Sequence, residues 1–244
     1  MINALFRLHF VLFLAVFLNA TSASAQKTPN QILNGVTQKM NKAKDYSADA
    51  NIRSEIPAIR ILPVSAKVYF KQKDKFKVDS KGIVLLPKQG FSDFQKVIRD
   101  TNSYTAVITG QEKIGQTMTQ VLNVIPSQDT SDLILAKLWI DAANSLVLKS
   151  QLTTRSSGTM LIEYTYGTQK QYGLPDNMVF TVDVKKFKIP KGVATDLNKP
   201  VAPASDGGAA GPASAKASAG KKAQIFISLT NYKVNGGVSD AVFK

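Results

Sequence analysis

The stretch Thr159-Met160-Leu161-Ile162-Glu163-Tyr164-Thr165-Tyr166-Gly167 decides the fold class. Met160, Ile162, Tyr164 and Tyr166 fall on one face of an extended chain, and Thr159, Leu161, Glu163 and Thr165 fall on the other. A second run repeats the pattern, with Met178, Phe180, Val182 and Val184 against Val179, Thr181 and Asp183. Two alternating runs with one strongly apolar side read as strands of an antiparallel sheet that buries a single face.

Outward from this pair, the same texture recurs at Leu133 to Asp141 and Leu146 to Thr154, joined by Asp141-Ala142-Ala143-Asn144. Ser156-Ser157-Gly158 marks the next reversal. Connections this short predict neighbouring antiparallel strands, a meander. Further strands are expected at Tyr46 to Ile56, Ile59 to Gln72, Lys75 to Asp79, Ile83 to Leu86, Tyr104 to Thr109, Thr117 to Ile125, Asn177 to Val184 and Gln224 to Tyr232.

Two segments have helical spacing. Thr28-Pro29-Asn30-Gln31 supplies a cap, a first-turn proline and a capping-box glutamine, and Ile32, Leu33, Val36 and Met40 then share a face. Gly90-Phe91-Ser92-Asp93 opens a second, shorter helix with Phe91, Phe94, Val97 and Ile98 on one side.

At the start, Arg7 precedes an apolar run from Leu8 to Leu18, and Ala23-Ser24-Ala25 offers a small-x-small cleavage site, so residues 1–25 are expected to be a cleaved signal peptide. The run is shorter than the roughly 20 residues that span a bilayer. An exported, soluble protein is the expectation, with residues 26–244 forming a single domain. Residues 201–220 contain eight Ala, four Gly, three Ser and two Pro. Such a composition has little to bury and predicts a disordered insert at about 198–222 within that domain.

The chain has no cysteine and its one histidine, His9, lies in the leader. Without either residue there is no Ser-His-Asp or Cys-His nucleophile and no His/Cys metal site, and the expectation is no catalytic residue, no metal and no cofactor. Asp45, Asp49, Glu55, Glu112, Asp141, Glu163 and Asp183 are scattered and read as surface or turn residues. Ser218-Ala219-Gly220-Lys221 has S-x-x-K spacing but stands in the insert, where no scaffold would hold a nucleophile. The formal net charge of +14 falls by only one when Arg7 is removed, and favours anionic membrane surfaces as partners. An exported address disfavours nucleic acid.

The order of elements resembles the periplasmic lipoprotein carriers of the LolA/LolB kind. Ala66-Lys67-Val68-Tyr69-Phe70-Lys71-Gln72-Lys73-Asp74-Lys75-Phe76-Lys77-Val78 is similar to that family's second and third strands. Leu138-Trp139-Ile140-Asp141 with Leu146-Val147-Leu148-Lys149 resembles its hairpin, and Tyr232-Lys233-Val234-Asn235 with Val238-Ser239-Asp240-Ala241-Val242-Phe243 resembles its ending.

The resemblance implies an α+β fold, a single curved antiparallel sheet (an unclosed half β-barrel) covered by helices on its concave face. It implies a monomeric, non-enzymatic periplasmic carrier or chaperone that binds acyl chains of lipoproteins or other lipids for transport to the outer membrane. Envelope membrane proteins are further partners that the resemblance implies. Ile32, Leu33, Val36, Met40, Phe91 and Phe94 would form the lid. Val68, Phe70, Phe76, Val78, Met160, Ile162, Tyr164, Phe180 and Val182 would line the cavity. The family's lid-fastening arginine falls on Gln72, which could bond the lid backbone without a charge or a fork. The alternative is a lipid- or lipoprotein-sensing regulator of the same fold, as in periplasmic anti-sigma-factor partners.

Overall fold

A computed structural model describes residues 27–57, 59–72, 75–82, 84, 98, 100, 102–127, 131–156, 158–183, 195–196 and 222–244. Helix α1 (Pro29–Met40) is followed by β1 (Asp45–Glu55), β2 (Ile59–Arg60), β3 (Val64–Lys71), β4 (Lys75–Ser80), β5 (Tyr104–Ile114) and β6 (Thr117–Pro126). Then come β7 (Leu133–Asp141), β8 (Leu146–Thr154), β9 (Gly158–Thr165), β10 (Asn177–Asp183), β11 (Thr195–Asp196) and β12 (Lys222–Val234).

Ten strands make one sheet in the order β4-β3-β1-β12-β10-β9-β8-β7-β6-β5, every pair antiparallel. β4 and β5 stand at opposite edges and do not pair, so the sheet is unclosed. The run from β5 to β10 is the meander expected from the short turns. β12 enters between β1 and β10 and thereby joins the two halves of the chain. β2 and β11 form a separate two-stranded ribbon.

Local chemistry explains the boundaries. The capping box at Thr28 is formed, with Thr28 Oγ1 accepting from the Gln31 amide at 3.2 Å and Gln31 Oε1 from the Thr28 amide at 2.9 Å. The Asp141 carboxylate accepts from the amides of Ala143 and Asn144 at 3.1 and 3.0 Å and so closes the β7–β8 turn.

Two strand expectations are revised. The single run Ile59 to Gln72 is two strands, because Ile61, Leu62 and Pro63 are unpaired and Pro63 has no amide to donate to a ladder. The strand expected to end at Thr109 continues to Ile114 through an irregularity at Ile108/Gly110, and Gly115 with φ 57° makes the turn into β6. Ile83 and residues 85–86, the second helix with Phe91, Phe94 and Val97, the leader, and residues 197–221 lie outside the described residues. Lys222, expected at the end of the insert, is the first residue of β12 and pairs with Asp183 of β10.

The outward face of the sheet mixes polar groups with apolar ones, Val107 and Ile125 among them at 50% and 48% exposed. Trp139, 3% exposed, lies beneath the ammonium groups of Lys137 and Lys149, 4.9 and 4.4 Å from its ring centre, and its Nε1 donates to Glu112 Oε2 at 2.6 Å. Arg53 covers Phe226 in the same way at 4.4 Å.

Candidate functional site

Register alone builds a continuous apolar face. Ser54, Ile225, Phe180, Ile162, Ser150, Leu138, Leu122 and Ile108 stand side by side across β1, β12, β10, β9, β8, β7, β6 and β5. The adjacent row is Ala223, Val182, Met160, Leu152, Ala136, Val124 and Ala106. Toward the β4 edge, Ala48, Val68 and Val78 form one rank, and Tyr46, Phe70 and Phe76 form the next. Because side chains alternate across a strand, a one-residue slip in any pair would break these rows.

The strand residues singled out in the sequence therefore share one face. Val68, Met160, Ile162 and Phe180 are buried in the core, and Val78, Tyr164 and Val182 pack partly buried against it. Phe70 stacks on Tyr46 with ring centres 5.1 Å apart. Phe76, at the sheet edge, is 57% exposed. From α1, Ile32, Leu33 and Val36 enter the same core and Met40 packs at its margin.

At the end nearest α1 the face becomes aromatic. Tyr232 meets Tyr46 edge-on at 5.8 Å and donates its hydroxyl to the Pro175 carbonyl at 2.7 Å. Tyr164 and Tyr166 stack at 6.5 Å, and Tyr166 donates to the Val147 carbonyl at 2.8 Å. The Tyr164 hydroxyl shares a 3.0 Å hydrogen bond with Ser150, itself fully buried. Burial pushes the Tyr164, Tyr166 and Tyr232 phenols well above the ordinary range, so this end stays uncharged. Tyr46 and Tyr232 were not singled out from the sequence. The alternation of Tyr46 with Ala48, Ala50 and Ile52 is the signal that places Tyr46 inward.

Polar bonds at its margins fix α1. Thr37 Oγ1 donates to the Ile98 carbonyl at 3.2 Å, Lys27 Nζ to the Ala142 carbonyl at 3.1 Å, and Lys39 Nζ to the Asn144 carbonyl. The Lys39 ammonium is held below its usual value by partial burial, then by neighbouring Lys42 and Lys170, with Asp141 opposing. At the helix's C-terminal end, Gln72 Nε2 donates to the Asn41 carbonyl at 3.0 Å and the Gln72 amide to the Lys44 carbonyl at 2.8 Å. The first of these bonds satisfies the carbonyl of the C-cap residue, an acceptor that a helix end leaves open. The residue aligned with the lid-fastening position thus touches the helix end.

Four of the described carboxylates each have a partner of their own. Asp141 closes a turn, Glu112 meets Trp139, Glu55 pairs with Arg53 at 2.6 Å, and Asp49 accepts from Asn231 at 2.9 Å and Lys67 at 3.4 Å. Among the described residues, no three His, Cys, Asp or Glu side chains are grouped as metal ligands. An open recess of about 490 Å³ lies at the far end of β1 and β12, lined by Ser54, Arg60, Lys222 and Gln224 together with Ile56, Pro57 and Ile61.

An unclosed ten-stranded antiparallel sheet with an apolar face and, among the described residues, one short α-helix against it defines a LolA-like fold. Two solved structures share this fold. A DUF1329 family protein from Desulfovibrio piger is similar at 11% identity, with a TM-score of 0.54, over 89% of this chain and 98% of its own. A LolA superfamily protein from Nitrosomonas europaea has 11% identity and a TM-score of 0.54, over 90% of this chain and 98% of its own. A putative outer membrane lipoprotein-sorting protein domain from Vibrio parahaemolyticus has 11% identity and a TM-score of 0.49, over 88% and 96%. The MucB/RseB N-terminal domain family matches residues 63–178. No curated protein matches the sequence. The resemblance read from the motifs is borne out at the level of the fold, which a LolA superfamily protein shares.

Proposed function

We propose that this chain binds acyl chains of lipoproteins or other lipids on the apolar face beneath α1, as a carrier or chaperone in the periplasm that serves the outer membrane. The observation that carries this reading is the continuity of the face, which runs through eight strands with only Ser54 and Ser150 as polar members of its central row. Each methylene transferred from water to such a surface is worth about 0.8 kcal/mol, so a single acyl chain gives reversible binding without a cofactor. Helix α1 is the element that would yield to ligand, since polar bonds at its ends and margins hold it while Ile32, Leu33 and Val36 cover the face. No catalytic group is required. Native mass spectrometry of the purified protein tests the reading: co-purified lipid is expected. A protein that carries no lipid and binds no added acylated peptide would overturn it.

A second reading, a periplasmic regulator that senses lipid or lipoprotein through the same face, is favoured by the MucB/RseB N-terminal domain match. Retention of a membrane-anchored regulator in the absence of lipoprotein cargo would place this reading first. Transfer of cargo to acceptor membranes would place the carrier first.

A further inference from the structure

We propose that the outward face of β3 and β4 is a docking surface for an acidic peptide segment, occupied in this structure by the chain's own residues 235–243, and that vacating it loosens the hinge of α1.

The residues between α1 and β1 form that hinge, and the segment leaving β12 clamps it. The Lys44 amide donates to Asn235 Oδ1 at 2.7 Å, Asn235 Nδ2 to the Lys42 carbonyl at 3.0 Å, and the Asn235 amide to the Asp45 carbonyl at 2.8 Å. Asn235 does this from a left-handed backbone with φ 58°, a conformation that asparagine tolerates better than most residues. The clamp continues through Asp45, whose Oδ1 accepts from the Gly237 and Val238 amides at 2.9 and 3.3 Å.

Beyond Val238 the segment crosses a row of lysines. On β3, Lys71 alternates with the inward Phe70, and on β4, Lys75 and Lys77 alternate with Phe76 and Val78, so all three lysines face outward. Lys71 and Lys75 both reach Asp240 Oδ1, at 3.0 and 2.9 Å. Lys71 also donates to the Val238 carbonyl at 3.1 Å and Lys77 to the Val242 carbonyl at 2.6 Å.

Two main-chain carbonyls, of Val238 and Val242, flanking one carboxylate in the 3-10 turn Asp240–Phe243 are what a peptide segment offers, and a lipid headgroup has no such set. The ion pairs are exposed, with the Asp240 side chain 60% accessible, and pairs of this kind add little stability. The occupant is therefore exchangeable, and a competing acidic segment would take Asp240's place. Peptide docking and hinge loosening stand independently of the lipid binding proposed above.

The test uses the full chain and the variants Asp240→Lys, which repels the segment from Lys71 and Lys75, and Asn235→Gly, which keeps the left-handed backbone and removes the side-chain clamp. The probe is a fluorescein-labelled peptide with the sequence of residues 235–243, read by fluorescence anisotropy. Binding to Asp240→Lys at least about fivefold tighter than to the unaltered protein is expected, the lower end of usual coupling between sites. Lys71→Glu introduced into Asp240→Lys should abolish it, as should replacing the aspartate of the probe by asparagine.

Amide hydrogen exchange over residues 29–45 should quicken by a similar factor in both single variants, while the β7–β8 pairing stays protected. Equal peptide affinity for both proteins, or capture of phosphatidylglycerol vesicles in place of the peptide, would overturn the docking surface. Unchanged exchange in α1 would overturn the coupling. Neither readout requires bound lipid, so failure here is distinct from failure of lipid binding.

Discussion

Gln72 stands where the resemblance places a lid-fastening arginine, and its side chain donates to the Asn41 carbonyl at 3.0 Å, at the C-terminal end of α1. A neutral, exposed hydrogen bond of this kind is worth about 0.5–1 kcal/mol. Gln72→Ala should therefore speed amide exchange in α1 by roughly two- to fivefold, measured by mass spectrometry, with the sheet unaffected. Gln72→Arg adds a charge and further donors next to the helix's negative end, and should slow that exchange.

The buried phenols make a second prediction at this scale. The folded-state pKa values of Tyr164, Tyr166 and Tyr232 lie above the 10.0 of a free phenol, so the folded state keeps protons that the unfolded chain gives up. Stability is complete below pH 10 and falls as pH rises above it. The share of tyrosinate absorbance that comes from these three of the chain's seven tyrosines should appear together with unfolding instead of before it. The contrast between Tyr46 and Tyr164 shows what a sequence can hold. Tyr164 sits in a clean alternating run and was legible, whereas the stacking of Tyr46 on Phe70 depends on a strand pairing with no mark of its own in the sequence.

Among the elements, α1 was the most legible, since Thr28, Pro29 and Gln31 specify its start and Ile32, Leu33 and Val36 its buried stripe. Removing the cap by Thr28→Ala should cost about 1 kcal/mol in a urea titration. Deleting methylenes from the face itself should cost far more: Ile162→Ala, at a fully buried site, should lose about 2–5 kcal/mol. The meander was equally readable, because turns such as Asp141 to Asn144 permit only neighbouring strands. The insertion of β12 between β1 and β10 was not readable. It pairs residues such as Ile52 and Ile227, far apart in sequence, and a hydrophobic pattern says which face a strand buries but not which strand lies beside it. The break at Pro63 was visible as a proline, yet the flanking Ile59, Ile61 and Val64 made the run look unbroken.

At the scale of the molecule, an open sheet with one apolar face is a structure to which an apolar ligand should add stability. A ligand that binds only the folded state, at 100 times its dissociation constant, should contribute about 2.7 kcal/mol and raise the melting temperature accordingly. Scanning calorimetry with and without a palmitoylated peptide measures this, and an unchanged transition would count against binding at the apolar face.

Trp139 gives that experiment its optical control. It is the chain's single tryptophan, and it lies on the face opposite the apolar rows, clamped between Lys137 and Lys149 with its indole N–H on Glu112. Its fluorescence spectrum is consequently an emission signal for the far side of the sheet. Filling the apolar face should leave the spectrum in place, whereas melting the sheet should shift it to the red. One fluorophore thus separates a protein that has taken up cargo from one that has come apart.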